Sequence, residues 1–299
     1  MTNPEIPQLP VPSFAASFVA PEKVGPPQSI LEYGETGTQK TSDFAELVKA
    51  RRFNRALLFD IDNGAEVFAN DPEVVQAMHE GRLVVSKLDS LDPNAFQIID
   101  QQLLEVAGYF RDPQTGKLWP HPDYPDYGFD LVGLDTLNGM ADIAVNHYKA
   151  TTYNDKGQLD TRAAYGKFAE WIGSIVELYH NTERFVGYFA MHPKVDEEKT
   201  TGVSVIKPKL QGSYKDSIGS KPSLVAYLAW EKNPETDTVV RTATVGGSDL
   251  AVSKNRYRLP NKIYDFSIVE FYNDLEKRGI VPPVATPASA PAATPATQA

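Results

Sequence analysis

The stretch Ser29–Ser42, with the sequence S-I-L-E-Y-G-E-T-G-T-Q-K-T-S, constrains the chain more than any other segment. A short apolar run ends at Gly34, a turn with a second glycine follows, and Lys40-Thr41-Ser42 opens a predicted helix. Glycines let backbone N–H groups turn toward phosphate oxygens, a helix N-terminus adds partial positive charge, and a lysine at this spacing reaches the outer phosphates. The stretch therefore predicts a phosphate-binding loop, with the Thr41 hydroxyl as a Mg²⁺ ligand.

One position departs from the usual pattern of such loops, G-x-x-x-x-G-K-[ST], because Gln39 stands where the second glycine is expected. Two alternatives stay open at this point. The loop binds nucleotide and supports hydrolysis, or it is degenerate and only binds. A simpler alternative makes Lys40 a solvated lysine at the start of a helix.

Composition narrows the class of protein. The chain of 299 residues has a net charge of −10, which disfavours indiscriminate DNA binding. It contains no cysteine, which excludes disulfides, thiolate metal sites and a cysteine nucleophile. No run approaches the roughly 20 apolar residues of a membrane span. We therefore predict a soluble, cytoplasmic protein without a membrane partner.

Three regions follow from the patterning. Residues 1–27 form a proline-rich arm, residues 28–279 form the core domain, and residues 280–299 form a Pro/Ala/Thr tail that is predicted to be disordered. Within the core, the Pro/Tyr/Asp-rich residues 111–127 are predicted to be a loop insertion.

Predicted strands alternate with predicted helices up to about residue 190, which indicates an α/β fold with a mostly parallel sheet flanked by helices. Two further strands near the C-terminus predict an antiparallel addition. Asp62, Asp135-Thr136 and His192 each follow a predicted strand, so they should meet the phosphate-binding loop at one edge of the sheet. Asp135 then suits a second Mg²⁺ contact. Alternatively, Asp62 only ends a strand in a turn and Asp135 only caps a helix.

The segment Lys194–Lys221 carries six lysines against four acidic residues, with Tyr214 as its one aromatic residue. Basic loops that contain glycine and serine can follow a phosphodiester backbone, and aromatic rings stack on bases. The candidates for binding single-stranded DNA are Lys207, Lys209, Tyr214 and Lys215. The alternative is a solvated flexible loop.

The order of the phosphate-binding loop, D-I-D-N-G, L-V-G-L-D-T and Y-F-A-M-H resembles RecA-like P-loop ATPases, and more closely the compact AAA-type recombination ATPases of bacteriophages. The similarity covers roughly residues 28–262. The resemblance implies a RecA-like core that binds ATP with Mg²⁺ through the loop residues Gly34, Glu35, Thr36, Gly37, Thr38, Gln39, Lys40, Thr41 and Ser42.

The resemblance also implies roles for residues outside the loop. Asp62, or alternatively Asp60, would polarise the attacking water, and Asp135 would be the second Mg²⁺ contact. His192 would sense the γ-phosphate and lead into a DNA-binding loop. Lys254 and Arg256 would act on the ATP of a neighbouring subunit.

The implied protein is an ATPase that acts on single-stranded DNA in recombination or annealing, as a homo-oligomeric ring or filament, with a single-strand DNA-binding protein as a further partner. Two alternatives remain. One is a structural or regulatory phage protein whose site binds nucleotide without hydrolysing it, which Gln39 favours. The other is a helicase-type motor on the same core, which we rank lower because no separate loader or primase-binding domain precedes the core.

Overall fold

The computed structural model describes residues 25–197, 202–211, 214 and 217–284, and its main feature is one central β-sheet. The strands of these residues, in chain order, are β1 (Ser29–Gly34), β2 (Ala56–Asp60), β3 (Leu83–Lys87), β4 (Tyr109–Arg111), β5 (Leu118–Pro120), β6 (Leu131–Asp135), β7 (Val186–Met191), β8 (Pro193–Glu197), β9 (Ser204–Pro208), β10 (Leu224–Lys232), β11 (Val239–Thr244), β12 (Lys254–Asn255) and β13 (Lys262–Tyr264). The helices are α1 (Lys40–Lys49), α2 (Pro72–His79), α3 (Ala95–Ala107), α4 (Leu137–Thr151), α5 (Thr161–Asn181) and α6 (Ile268–Lys277).

The central sheet has the order β13-β11-β10-β1-β7-β6-β2-β3, and β12 also pairs with β10. The six strands from β10 to β3 are parallel, whereas β11, β12 and β13 are antiparallel additions beyond β10. Strand β7 lies between β1 and β6, so the strand before the glycine loop is separated from the strand that ends in Asp135. The predicted α/β fold class, with its C-terminal antiparallel strands, is confirmed.

Helices cover both faces of this sheet, as parallel sheets require. On one face α3, α4 and α5 bury apolar side chains such as Leu103, Ala141 and Ile172. On the other face α1, α2 and α6 do so through Phe44, Val74 and Phe271. None of the helices in the described ranges is long and apolar enough to cross a membrane.

Two segments differ from the prediction. Residues 111–127 are not a plain loop, because β4 and β5 pair as a short hairpin there, with Phe110 opposite Trp119. The polar segment after His192 begins with a second hairpin, β8–β9. Most of the predicted arm and tail lies outside the described residues. Val281, just past the predicted core boundary, is buried against the α6 side of the molecule.

Candidate functional site

The glycine loop connects the end of β1 to the start of α1 at the carboxyl edge of the parallel strands. Gly34 is packed so closely that a Cβ there would collide with the carbonyl oxygen of Leu228 in β10. Gly37 has a φ of 84° and Gln39 a φ of 66°, so both lie in the left-handed region. Glycine adopts this region without steric cost, which explains why the usual pattern has glycine where this chain has Gln39.

No side chain of the N-cap residue accepts from the first backbone N–H groups of α1. Gln39 makes no side-chain cap, whereas Asp71, Thr136, Asp160 and Ser267 cap α2, α4, α5 and α6. Helix α3 is the other described helix without such a cap. The first N–H groups of an uncapped helix lack intrahelical acceptors and carry partial positive charge. At the end of a glycine loop, this arrangement suits an anion.

Lys40 is buried in the loop, with 7% of its surface exposed. Its ammonium donates to Gly34 O at 2.8 Å, Glu35 O at 3.1 Å and Thr38 Oγ1 at 3.3 Å. These three oxygens match the three donors of the ammonium group. Burial lowers the pKa of Lys40, and the charge of Asp135 opposes that shift. The lysine is therefore held inside the loop by oxygen acceptors, as a phosphate-binding lysine would be.

Thr41 and Asp135 meet although they are 94 residues apart, because the Thr41 hydroxyl donates to Asp135 Oδ2 at 2.5 Å. Burial raises the pKa of Asp135, the Thr41 hydrogen bond lowers it, and the charges of Asp60 and Asp62 raise it further. A hydroxyl and a carboxylate with excess negative charge nearby are ligands that suit Mg²⁺. In the described part of the chain no group of three or more His, Asp or Glu side chains could hold a metal, so phosphate and water would supply the other ligands.

Gly64 is a site residue that the sequence analysis missed. A Cβ there would lie 2.8 Å from Asp135 Oδ2 and 2.9 Å from Thr41 Oγ1, so only glycine fits beside this pair. Asp60 anchors the same turn, since its carboxylate accepts from the N–H groups of Gly64 at 2.9 Å and Ala65 at 3.1 Å. Asp60 is thus a buried turn residue that does not line the cleft, whereas Asp62 lines it.

Asp62 and His192 also line the cleft and are more accessible than Lys40, with 45% and 34% of their side-chain surfaces exposed. Asp62 Oδ2 accepts from the Thr136 hydroxyl at 2.6 Å and lies 3.8 Å from His192 Nε2. The interaction with His192 lowers the pKa of Asp62, burial raises it, and the Thr136 hydrogen bond lowers it. Asp62 is therefore an ionised, positioned carboxylate that faces the cleft.

Most of these groups line one cleft of about 700 Å³. We call the loop residues Thr36, Gly37 and Gln39–Ser42 the loop wall of this cleft, and Asp62, His192 and Lys209 the hairpin wall. The structure thus brings together the four segments that were expected to meet at the sheet edge, namely the loop, Asp62, Asp135 and His192. Glu35 is an exposed loop residue and Thr38 is buried beneath the loop.

The proposed trans-acting residues do not reach this cleft. Lys254 pairs with Val225 near the start of β10, at the amino end of the parallel strands. Its ammonium donates to the carbonyls of Ser220 and Lys221, and Arg256 lies close enough to influence its pKa, which burial lowers. Lys254 and Arg256 therefore do not contact a nucleotide in the cleft of their own chain, so any role on ATP would concern a neighbouring subunit.

The candidate DNA-binding residues separate into three groups. Lys207 lies on β9 opposite Lys194 of β8, and Lys209 lines the cleft. Tyr214 packs its ring over Gly173 of α5, and burial raises its pKa to about 12. One edge of the Tyr214 ring therefore packs against α5, and base stacking by Tyr214 stays a prediction. Lys215 lies outside the described residues.

A buried charge network behind the loop was also missed. Arg241 of β11 donates to Asp43 Oδ1 at 2.8 Å in the first turn of α1. The hydroxyl of Tyr188 of β7 lies 2.5 Å from Glu32 Oε2 and 2.7 Å from Lys40 O, within hydrogen-bonding distance of both. Burial and the charge of Asp43 raise the pKa of Glu32, and Arg241 opposes them. The sequence signal for this network was Glu32, an acidic residue within the apolar strand I-L-E-Y.

The comparisons with known proteins agree with this geometry. The family model described as AAA domain matches residues 26–257, which is more than half of the chain. No curated protein sequence matches.

Several solved structures are similar at low identity. A prototypical type III secretion system ATPase of pathogenic bacteria is 14% identical, over 68% of this chain and 52% of that chain, with a TM-score of 0.37. The RadB recombinase is 11% identical, over 80% and 86%, with a TM-score of 0.41. EscN from the enteropathogenic E. coli type III secretion system is 14% identical, over 68% and 43%, with a TM-score of 0.36. This chain thus spans about half of the length of the secretion ATPases.

Taken with the parallel sheet and the lysine-containing loop at its carboxyl edge, the family match is decisive. The chain belongs to the AAA domain family.

Proposed function

We propose that this protein is a Mg²⁺-dependent ATPase that acts on single-stranded DNA in recombination or annealing. The observation that carries the ATPase part is the 2.5 Å contact between Thr41 Oγ1 and Asp135 Oδ2 beside the buried Lys40. It joins a hydroxyl at the start of α1 to the carboxylate that ends β6. This is where a P-loop enzyme holds the metal that accompanies the nucleotide phosphates.

The division of labour among the residues follows from their positions. Lys40 and the N–H groups at the start of α1 bind phosphate oxygens, and Thr41 with Asp135 holds Mg²⁺, which neutralises phosphate charge when bound. Asp62 orients the attacking water through its carboxylate, which the Thr136 hydroxyl fixes at Oδ2. Phosphoryl transfer needs such positioning and charge neutralisation more than covalent catalysis by the protein.

The DNA-binding part of the proposal rests on the β8–β9 hairpin and on the resemblance to phage recombination ATPases. The hairpin leaves the cleft directly after His192 and returns to it at Lys209. Lys194 and Lys207 lie opposite each other on its two strands and could contact a phosphodiester backbone, and Lys194 also pairs with Asp196 at 2.6 Å. We further propose a homo-oligomeric ring or filament in the cytoplasm, in which Lys254 or Arg256 acts on a neighbour's ATP. A single-strand DNA-binding protein as partner rests on the resemblance alone.

ATP hydrolysis by the full chain with Mg²⁺, with and without single-stranded DNA, tests this proposal. We expect turnover that rises with DNA and disappears in the Lys40→Ala variant. Absence of turnover together with absence of ATP binding would contradict it.

The second candidate is a nucleotide-binding structural or regulatory protein without turnover. The left-handed backbone at Gln39 favours it, because this position departs from the glycine of active loops. The Gln39→Gly variant separates the two. Turnover that appears only in this variant supports the second candidate, and turnover in the natural chain supports the first.

A further inference from the structure

One side chain of α4 contacts both ends of the β8–β9 hairpin at the cleft. Asn138, in the first turn of α4 and 5% exposed, accepts from His192 N–H at 2.7 Å and donates to the carbonyl of Lys209. Lys209 N–H in turn donates to His192 O at 2.8 Å. One turn further along α4, Asp142 accepts from Gln211 Nε2 at 2.7 Å. The two ends of the hairpin are therefore tied to each other and to the helix that follows Asp135.

This anchoring determines where Lys209 lies. Its neighbours Pro208 and Leu210 are buried, whereas Lys209 itself is exposed and lines the same cleft as the phosphate-binding loop. Its positive charge is close enough to help lower the pKa of Asp62, after the larger effects of His192 and Thr136. Lys207, two residues earlier, does not line the cleft. The backbone of Lys209 is thus fixed while its ammonium remains accessible from the cleft.

We propose that Lys209 binds the terminal phosphate of ATP in its own subunit, and that Asn138 is the positioning residue that holds Lys209 there. The inference rests on the proposed ATP-binding function and assigns a ligand group to a lysine that the sequence pattern placed among DNA contacts. The described cleft has two lysines, and Lys40 lies within the loop on one wall. Lys209 supplies positive charge on the other wall, beside the carboxylate that orients water.

The proposal predicts selectivity for the triphosphate. A charged hydrogen bond to the terminal phosphate adds affinity for ATP and none for ADP, because ADP lacks that group. Removing the ammonium should therefore weaken triphosphate binding about tenfold or more and leave diphosphate binding unchanged.

The experiment measures the affinities of the full chain for Mg²⁺-ADP and for the non-hydrolysable β,γ-imido analogue of ATP, without DNA. Lys209→Met is compared with Lys167→Met, which removes an exposed lysine of α5 outside the cleft. We expect only Lys209→Met to lose triphosphate affinity, and Lys209→Arg to restore part of it. Thermal unfolding of each variant checks that it is folded.

Asn138→Leu tests the positioning role. We expect it to lower the ratio of triphosphate to diphosphate affinity, and to add little to the loss in Lys209→Met, because both changes act on the same contact. A purely structural role would lower the melting temperature and leave that ratio unchanged, which would overturn the assignment of Asn138.

Two results would overturn the assignment of Lys209, and they are distinguishable from failure of the ATPase proposal. If the natural chain binds both nucleotides and Lys209→Met changes neither, or both equally, the inference alone fails. If Lys209→Met loses affinity for single-stranded DNA and keeps its nucleotide affinities, Lys209 belongs to the DNA surface. If the natural chain binds neither nucleotide, the proposed function fails and the inference fails with it.

Discussion

The two walls of the cleft are built in different ways. On the loop wall, Lys40 is buried and bonded to three oxygens contributed by residues within six positions of it. On the hairpin wall, Asp62 and His192 are partly exposed, Lys209 is exposed, and Asn138 fixes the backbone from another helix. The loop wall is therefore formed by a continuous segment, whereas the hairpin wall is assembled by sheet topology from separate segments.

This difference bears on function. A buried, locally bonded wall keeps one geometry and suits groups that bind phosphates in every nucleotide state. A wall of accessible side chains at the ends of a hairpin suits groups that respond to the terminal phosphate. Substitutions on the loop wall should abolish binding, and substitutions on the hairpin wall should change turnover or selectivity while binding persists.

The largest expected effect comes from the loop wall. Lys40→Ala removes the ammonium that we propose to bind phosphate, so nucleotide affinity should fall by about 100-fold or more. Calorimetric titration with Mg²⁺-ATP measures it. The control is Lys49→Ala at the other end of α1, where the lysine pairs with Asp71 at 2.8 Å. Equal affinities for the two variants would contradict the role of Lys40.

Asp62→Asn tests whether the hairpin wall acts in turnover and not in nucleotide binding. We expect ATP turnover to fall by about 100-fold or more, since a carboxylate that accepts or directs a proton contributes this much, while ATP affinity changes little. Steady-state hydrolysis and equilibrium binding, measured on the same preparation, separate the two effects. Asp60→Asn is not a suitable control, because Asp60 holds the turn at Gly64. A parallel loss of binding would place Asp62 on the phosphate-binding wall instead.

The buried ion pair of Arg241 and Asp43, which lies behind the loop wall, predicts an effect on the free energy of unfolding. Arg241→Met leaves Asp43 buried without its cation, and breaking a buried pair in this way costs about 3–5 kcal/mol. Lys262→Met on the neighbouring strand β13 removes a partly exposed pair with Glu231 and should cost less than about 1 kcal/mol. Urea unfolding of both variants measures the difference. Similar values for the two would show that the Asp43 pair does not anchor α1.

The lowered pKa of Asp62 gives a pH dependence with a defined sign. Its pKa in the folded chain lies below the ordinary value near 3.9, so its interactions with His192 and Thr136 stabilise the fold fully above about pH 5. That contribution is lost as the pH falls through the folded pKa. The difference in unfolding free energy between the natural chain and Asp62→Asn should therefore shrink toward pH 3. Growth of the difference in acid would contradict the assignment.

The smallest effect is expected at Gln39. Gln39→Gly relieves a left-handed backbone that costs a side-chain-bearing residue about 1–2 kcal/mol, and part of this gain is offset by the greater freedom of glycine when unfolded. We expect a net stabilisation of about 0.5–1 kcal/mol. Gln39→Ala is the control, because it keeps the strain. Thermal unfolding should rank glycine above glutamine and alanine.

The fold and the loop wall could be predicted from the sequence because their signals are local. Apolar strands, the glycine spacing and Lys40-Thr41 all lie within short windows, and the rule that parallel strands end at one edge placed Asp62, Asp135 and His192 together. The β8–β9 hairpin gave no such signal, since its strands hold lysine, aspartate and glutamate, which are uncommon in strands.

The contacts that hold the site together could not be predicted in this way. Asn138 and its partner Lys209 are 71 residues apart in the sequence, and Asp43 and its partner Arg241 are 198 residues apart. Only the register of the sheet and the packing of α4 and α1 bring them into contact. For Tyr214 the sequence suggested a contact that the packing does not favour. As the one aromatic residue of a basic segment it suggested a base-stacking ring, whereas the ring packs on α5.

The central claim is that the cleft binds Mg²⁺-ATP through Lys40, Thr41 and Asp135. Calorimetric titration of the full chain with ATP, in the presence and absence of Mg²⁺ and beside Thr41→Val, tests it most directly. We expect saturable binding with one nucleotide per chain, weakened by removal of Mg²⁺, and a Mg²⁺ dependence that is lost in Thr41→Val. Absence of binding in the natural chain, or binding that neither Mg²⁺ nor Thr41→Val affects, would contradict it.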